Sequence, residues 1–140
     1  MRRMHLVIGL VGCLTLFGCG GSPAATLAAQ NVVDAIKAAG IPVANVQPGT
    51  VPDGSPLPRS FKENLTFDAT GLTPNNKGGQ VFVCDTKQNC DAIYAYFNAL
   101  KALAGPYLYQ SPDGRVVAQI DSGMKAEDAA KIEAAIKALP

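Results

Sequence analysis

The spacing of apolar residues divides the chain after residue 25 into alternating helices and strands. Recurrence every three or four positions predicts helices over 26–39, 86–104 and 125–139. Runs rich in β-branched and aromatic residues predict strands over 43–46, 61–67 and 80–84, and a hairpin over 107–121. The predicted order of elements is therefore α-β-β-β-α-β-β-α.

This order indicates the fold class. Hairpins and short connections favour antiparallel neighbours, and helices with one apolar face need a sheet against which to bury it. We therefore predict a single α+β domain over 26–140, with a mostly antiparallel sheet and about three helices packed on one face. The opposite face of the sheet would then be open, unless the long loops fold over it and make it ordinary core.

The turn at Ser111-Pro112-Asp113-Gly114 sets the predicted register of the hairpin. Proline presets the first turn position and glycine takes the left-handed one, so a type I turn with a G1 bulge fits best. This register places Leu108 on the same side as Val116, Ala118 and Ile120. It turns Tyr107, Tyr109 and Val117 to the other side, where they would form a tyrosine face. Exposed aromatic patches are typical of partner-binding surfaces.

The segment before the second strand is rich in residues that break regular structure. Residues 48–60 hold four prolines and two glycines, which excludes a regular helix or a central strand. A loop of this length in a small domain is a candidate lid over a ligand. Beyond it, Phe61, Leu65 and Phe67 share one strand parity, with Glu63 interrupting the pattern, so we expect the three apolar side chains to face one side.

Residues 1–18 have the pattern of an export signal. A basic segment, MRRMH, is followed by about twelve apolar residues, LVIGLVGCLTLF. A transmembrane helix needs roughly 20 apolar residues, so this run is too short for a permanent span. A short apolar run behind a basic N-terminus is typical of a signal peptide that is removed.

The end of this segment, Leu16-Phe17-Gly18-Cys19, resembles the lipobox of bacterial lipoproteins. The resemblance implies that the Cys19 sulfur receives a diacylglycerol and that the chain is cut before Cys19. In many bacteria the new amino group also receives an acyl chain such as palmitate. Residues 19–25 would then be the lipidated cysteine and a short Gly/Ser/Pro tether. No cofactor other than this covalent lipid is expected.

Two alternatives stay open for the N-terminus. Leu10-Val11-Gly12-Cys13 also fits the lipobox, although it would leave only about seven apolar residues ahead of the cysteine. An ordinary secretory signal with a chance cysteine is the other alternative. Gly20 stands where, by the same resemblance, an aspartate would have indicated retention in the inner membrane. An outer-membrane location is therefore expected if the organism has one.

The charge of the chain argues against one class of partner. The formal net charge is +1, but Arg2, Arg3 and the only histidine, His5, belong to the predicted signal. Without the two arginines, ten basic side chains stand against eleven acidic ones, so the mature domain is near −1. An almost neutral domain without a run of Lys or Arg has no electrostatic basis for binding nucleic acid.

Cys84 and Cys90 are the cysteines that remain in the predicted mature domain. An even pair in an oxidising compartment predicts a disulfide. The C-x₅-C spacing is not the C-x-x-C of redox-active pairs, and two thiols without histidine do not complete a zinc site. We therefore predict a structural disulfide and no metal.

The mature sequence offers little catalytic chemistry. Without histidine it cannot form a Ser-His-Asp or Cys-His arrangement. An enzyme that uses carboxylates alone stays open as an unfavoured alternative, with pairs drawn from Asp85, Asp91, Asp113 and Asp121. Each of these residues is better explained as a turn or cap residue, so we expect no enzymatic activity.

These patterns together predict a lipid-anchored, extracytoplasmic and non-enzymatic protein of the cell envelope. Its leading role would be to bind an envelope protein through Tyr107, Tyr109 and Val117, or to act as a structural module. The alternative is a membrane-tethered carrier or sensor of a small molecule with residues 48–60 as its lid. The stretch from GGQVFVCDT to EDAAKIEAAI resembles small extracytoplasmic domains of bacteria, which supports the fold and implies no activity.

Overall fold

The computed structural model describes residues 27–69 and 78–140. Within these ranges the chain forms three helices: α1 (Ala29–Ala38), α2 (Lys87–Ala104) and α3 (Ala126–Lys137). It also forms five strands: β1 (Val43–Pro48), β2 (Glu63–Ala69), β3 (Gly79–Val83), β4 (Tyr107–Gln110) and β5 (Val116–Ile120). The predicted α+β class and order of elements are confirmed.

All five strands belong to one antiparallel sheet with the order β1-β2-β3-β5-β4. The pairings of β3 with β2 and with β5 run without a bulge. Phe82 therefore lies between Asn64 and Val117, and Gln80 lies between Thr66 and Gln119. Because side chains alternate along a strand, each of these rows lies on one face of the sheet.

The helices lie on both faces of the sheet, so the prediction of three helices on one face was wrong. α1 and α3 pack with Val81 and Val83, whereas α2 packs with Phe82 in a separate buried cluster. The run QVFVC of β3 is apolar at both parities, as in strands that are buried on both faces. Such a strand needs a cover on each side, which α2 supplies for one of them.

A carboxylate from the sheet fixes the start of α1. The Ala29 N–H donates to Oε2 of Glu63 at 2.7 Å, and the Ala28 N–H donates to Oδ1 of Asn31 at 3.1 Å. An acceptor with negative charge stabilises the exposed N–H groups at the N-terminus of a helix. Glu63, which interrupts the apolar pattern of β2, thus ties α1 to the end of the sheet where β2 begins.

The predicted boundaries of α2 agree closely with the structure. The Thr86 hydroxyl accepts a hydrogen bond from the Asn89 N–H at 3.3 Å and caps the N-terminus. Gly105 ends the helix in the left-handed region, with φ of 58°, and its N–H donates to the Lys101 carbonyl at 2.8 Å. A disulfide joins Cys84 at the end of β3 to Cys90 in the first turn, with their Cα atoms 5.6 Å apart, as predicted.

The proline-rich loop is packed against the α2 side of the sheet. Leu57 and Phe61 contact the α2 cluster, and the Ser60 hydroxyl donates to the Asn89 carbonyl at 2.9 Å. The Phe61 ring centroid lies 5.3 Å from that of Phe82. Phe61 therefore does not share a face with Leu65 and Phe67, as the strand parity had predicted, because β2 begins only at Glu63 and the chain bends before it.

The register of the β4–β5 hairpin differs from the prediction by one residue. Tyr107 lies opposite Ile120, and Tyr109 lies opposite Ala118. The two tyrosines therefore face the α1 and α3 side with these residues, whereas Leu108 faces α2 together with Val117. The prediction had assigned the opposite sides.

The turn between β4 and β5 is one residue longer than predicted, and side-chain hydrogen bonds explain the difference. The Ser111 hydroxyl accepts the Val116 N–H at 3.0 Å, and Asp113 Oδ1 accepts the Arg115 N–H at 3.0 Å. The Gly114 N–H donates to the Ser111 carbonyl at 3.0 Å, which closes the turn itself. Because side chains satisfy these N–H groups, the loop takes one residue more than a G1 bulge would. One added residue reverses the faces of β4, since strand side chains have a period of two.

We predict that Ser111→Ala destabilises the domain by about 1–3 kcal/mol, because it leaves the buried Val116 N–H without its acceptor. Chemical denaturation of the purified protein measures the change in the free energy of unfolding. Ser122→Ala is the matched control, because Ser122 is exposed in the turn between β5 and α3, and this change should affect stability little. Equal stability of the two variants would contradict the role given to the Ser111 hydroxyl.

Candidate functional site

The predicted tyrosine face does not exist as one surface. Val117 is completely buried beneath α2, whereas Tyr107 and Tyr109 lie half-buried on the opposite face, with ring centroids 6.5 Å apart. Burial raises the pKa of Tyr109 to about 12, and the nearby Glu133 and Tyr107 add to this effect. The prediction that the three residues share one face was wrong, because the hairpin register separates Val117 from the tyrosines. Binding of a partner by the two tyrosines stays a prediction.

The predicted lipidation site lies outside the part of the chain that the structure describes. This holds for Cys19, for the alternative Cys13 and for the tether over 19–25. Among the described residues, no helix has the length and apolar character needed to cross a membrane. Cys84 and Cys90 are both buried and bonded to each other, which fits a structural role.

Two of the predicted carboxylates lie near each other at one end of the sheet. Asp85 and Asp113 line a small pocket of about 160 Å³ together with Lys62 and Arg115. Asp85 is exposed, whereas Asp113 forms a salt bridge with Arg115, its Oδ2 lying 2.7 Å from Nε, and accepts the Ser111 hydroxyl at 2.6 Å. The Asp113 carboxylate is thus engaged in holding the hairpin turn.

The other two carboxylates are also engaged in local structure. Asp91 accepts hydrogen bonds from Lys87 at 2.7 Å and from Gln110 at 2.9 Å, linking α2 to β4. Asp121 accepts the Gly123 N–H at 2.7 Å in a turn. Across 27–69 and 78–140, no group of three or more His, Cys, Asp or Glu side chains is placed to hold a metal ion.

The pKa values of two carboxylates, Asp113 in the hairpin turn and Asp91 in α2, are both lowered. Burial alone would raise the pKa of Asp113, but hydrogen bonds from Ser111 and from the Arg115 backbone and guanidinium outweigh it and lower the pKa. The pKa of Asp91 is also lowered, first by its hydrogen bond from Lys87 and then by that from Gln110. Both groups therefore favour the folded state in their ionised form.

One part of the α2 face of the sheet has no cover among the residues that the structure describes. α2 contacts β4 and β5, and the proline-rich loop contacts the α2 cluster, but neither covers the half of the face where β3 begins and β5 ends. There the face forms an open cleft of about 810 Å³. We call it the polar cleft.

The floor of the polar cleft is a row of four polar side chains, one from each of four adjacent strands. Gln47 lies opposite Thr66, Thr66 opposite Gln80, and Gln80 opposite Gln119. We call these four residues the polar row. Gln47 is exposed and the other three are half-buried, so the row is accessible along its length.

Hydrogen bonds within the cleft orient its polar groups. The Gln80 side-chain NH₂ donates to Oε1 of Gln119 at 2.9 Å. The Asn45 NH₂ donates to Oδ2 of Asp68 at 2.7 Å. Each carboxamide has two N–H donors and a carbonyl with two lone pairs, so each keeps unused hydrogen-bonding capacity after these contacts.

The edge strand beside the cleft is irregular. The register of β1 against β2 shifts between Ala44 and Gln47, and Asn45 within this bulge has φ of 50°, a left-handed value that asparagine tolerates better than most residues. Pro48, at the end of β1, has no N–H to donate. Bulges and prolines on edge strands hinder pairing with a further strand.

The cleft and the start of α1 lie toward opposite ends of the sheet. Leu27 lies with Lys62, Val83 and Arg115 around the small pocket, at the end where β2 begins; we call this end the N-terminal pole. The polar cleft extends toward the end where β2 finishes, at Asp68. From Lys62 to Asp68 the chain advances about 20 Å at the usual rise of a strand.

The sequence held only a weak signal for the polar row. Gln80 precedes Phe82 by two positions and Gln119 follows Val117 by two, so on each strand one face changes from apolar to polar. This change was not singled out from the sequence, and Gln47 and Thr66 stand in segments without clear alternation. Only the pairing register shows that the four side chains are neighbours.

The described lining of the cleft is polar and carries two ionisable side chains. These are Asp68 and Asp121, and no lysine or arginine is among the lining residues that the structure describes. Comparison with known proteins adds no assignment, since the chain matches no protein-family model, no curated protein and no solved structure.

The lowered pKa of Asp113 predicts a pH dependence of stability. A carboxyl with a folded pKa below its unfolded value of about 3.9 stabilises the folded state above that value, and this contribution is lost as the pH falls through the folded pKa. Asp113→Asn should therefore be less stable than the wild type at neutral pH. The difference should shrink under strongly acidic conditions.

Denaturation of both proteins at neutral and acidic pH measures this difference. Asp53→Asn is the matched control, because the Asp53 carboxylate is fully exposed. A stability difference for Asp113→Asn that stays constant with pH would contradict the ionic role of this carboxylate.

Proposed function

We propose that this protein is a lipid-anchored protein of the cell envelope that binds a polar ligand without transforming it. The observation that carries the binding part is the polar row, which lies open across four strands in a sheet that is otherwise covered. A face that only needed to be solvated would not require these side chains to line a cleft of this size. Ligand sites are concave and orient a few polar groups.

The anchor part of the proposal rests on the sequence. Leu16-Phe17-Gly18-Cys19 follows a basic and then apolar segment, and the predicted attachment of two or more acyl chains would hold the protein on a membrane. Each buried CH₂ contributes about 0.8 kcal/mol, so two chains bind stably where one does not. The membrane would be the outer one if the organism has one.

The position of the anchor relative to the fold supports presentation of the cleft. Cys19 precedes Leu27 by eight positions, and a fully extended chain of that length reaches about 28 Å at most. The N-terminal pole would therefore stay close to the membrane. The polar cleft, which extends toward the other end of the sheet, would face the aqueous space.

A non-enzymatic role agrees with the side chains available. The only histidine of the sequence is His5, in the predicted signal peptide. The aspartates considered for catalysis hold turns or a helix–strand contact, with the exception of the exposed Asp85. A general acid or base needs a free group beside the reacting atoms, and the two carboxylates among the described lining of the cleft, Asp68 and Asp121, already accept hydrogen bonds from Asn45 and from the Gly123 N–H.

Two roles that the sequence left open, a carrier with a lid and a protein that binds a partner through the tyrosine face, are not favoured. The proline-rich loop packs on the α2 side through Leu57 and Phe61, so it borders the cleft at Pro48 and Thr50 and does not close over it. A carrier or sensor with a lid is therefore not favoured. A partner protein bound through the tyrosine face is not favoured either, because the tyrosines and Val117 face opposite sides.

The anchor is tested by changing its cysteine. We predict that Cys19→Ser abolishes incorporation of labelled palmitate and leaves a protein whose intact mass lacks the added lipid and retains residues 1–18. Cys13→Ser is the matched control, since Cys13 would leave with the signal peptide, and it should be labelled and processed like the wild type. Lipid labelling of the Cys19→Ser variant, or loss of labelling in the Cys13→Ser variant, would overturn the assignment.

A further inference from the structure

We infer that the polar cleft binds an uncharged, hydroxyl-rich ligand of the saccharide class, with the sugar rings lying across the strands along the polar row. This inference rests on the proposed binding function and names its ligand. It is carried by three observations: the chemistry of the row, the charge of the cleft and the irregular edge of β1.

The hydrogen-bonding chemistry of the row matches hydroxyl groups. Gln80 and Gln119 are hydrogen-bonded to each other, yet each carboxamide retains free donor or acceptor capacity. The Thr66 hydroxyl donates to the Gln47 carbonyl at 3.4 Å and can still accept. A sugar hydroxyl both donates and accepts, so it can pair with either end of an amide. A ligand with acceptors only would leave the amide oxygens unpaired.

The spacing of the row gives the ligand a length and a direction. Adjacent strands lie about 4.8 Å apart, so four side chains in register span about 14 Å. A short oligosaccharide has this length and offers hydroxyl groups at each ring. The row crosses the strands, and a ligand that uses all four residues must therefore lie across the sheet and not along one strand.

The charge of the described lining favours a neutral ligand over an anion. Asp68 and Asp121 are the ionisable side chains among the lining residues that the structure describes, and both are acidic. No lysine or arginine of these described residues offsets them, so phosphates, nucleic acids and acidic glycans would meet repulsion from them. The two carboxylates already accept hydrogen bonds from Asn45 and from the Gly123 N–H, which leaves them as additional acceptors for hydroxyl groups.

The edge of the sheet argues against an extended peptide as the ligand. A peptide that binds by strand addition needs a regular edge with free N–H and C=O groups. The edge strand that lines the cleft is β1, which has a bulge at Asn45 and ends at Pro48. Recognition must therefore come from the side chains of the polar row. These side chains form hydrogen bonds with hydroxyl or amide groups and do not require the regular N–H and C=O pattern of an extended strand.

Calorimetric titration of the full lipidated protein tests this inference. The protein is embedded in phosphatidylcholine nanodiscs, because many detergents carry sugar headgroups that would compete. The probes are the linear tetramers of glucose and of N-acetylglucosamine, with tetragalacturonate as the anionic probe and tetralysine as the cationic peptide. We expect binding of at least one neutral tetramer and no binding of tetragalacturonate.

Variants locate the binding in the cleft. Gln80→Met/Gln119→Met keeps the shape of the side chains and removes their amides, and we expect affinity about tenfold weaker or more, because several hydrogen bonds are lost together. Thr66→Val is a second variant in case the double variant folds poorly, and it should weaken binding in the same direction. Gln88→Met is the matched control, because Gln88 is exposed on α2 outside the cleft, and it should bind like the wild type.

The outcomes separate the ligand class from the proposed function. Binding of tetralysine that depends on Gln80 and Gln119, without binding of either neutral tetramer, would overturn the saccharide class and leave a binding cleft. Binding of no probe would overturn the inference. Binding of a neutral tetramer that is unchanged in both cleft variants would overturn the cleft as the site, and with it the proposed function.

Discussion

The bulge-free pairing of β3 with β2 and with β5 is the constraint on which the rest of this structure depends. It places Phe82 beside Val117, and two positions further along the same face it places Gln80 beside Gln119. The first pair is buried under α2, and the second pair is the centre of the polar row. A slip of one residue in either pairing would turn these side chains to opposite faces. The buried core and the open cleft are therefore two results of the same register, and neither could change without the other.

The elements that pack on the α2 face determine which part of that face is buried and which part forms the polar cleft. α2 and the apolar side chains of the proline-rich loop bury the row that contains Phe82, with the ring of Phe61 in contact with it. The cover ends where the side chains become polar, so no buried carboxamide is left without a partner in the described residues. At the N-terminal pole, Glu63 ties α1 to the sheet and the disulfide ties α2 to β3. The half of the face that stays open thus lies away from the point where the predicted tether would join the domain.

Local signals in the sequence predicted the parts of the fold that depend on local interactions. The predicted range 86–104 agrees with α2 because the Thr86 cap and the left-handed Gly105 that bound it involve residues only a few positions apart. The hairpin register was not predictable in this way, since it depends on hydrogen bonds that the Ser111 and Asp113 side chains make with the backbone. The distribution of helices was missed although β3 is apolar at both parities, a pattern typical of strands that are covered on both faces. The polar row was missed because its members come from four strands and become neighbours only through pairing.

The arrangement proposed for the protein on a membrane has the predicted lipid anchor close to the N-terminal pole and the polar cleft facing away from the bilayer. The most direct test attaches a fluorophore to Lys62→Cys at the N-terminal pole or to Ser122→Cys, which follows the cleft residue Asp121. Both positions are exposed. Cys84 and Cys90 are bonded to each other and so do not compete for the label. The lipidated proteins are then reconstituted in vesicles whose headgroups carry a quencher. We predict clearly stronger quenching at position 62 than at position 122. Equal quenching, or stronger quenching at position 122, would contradict this arrangement.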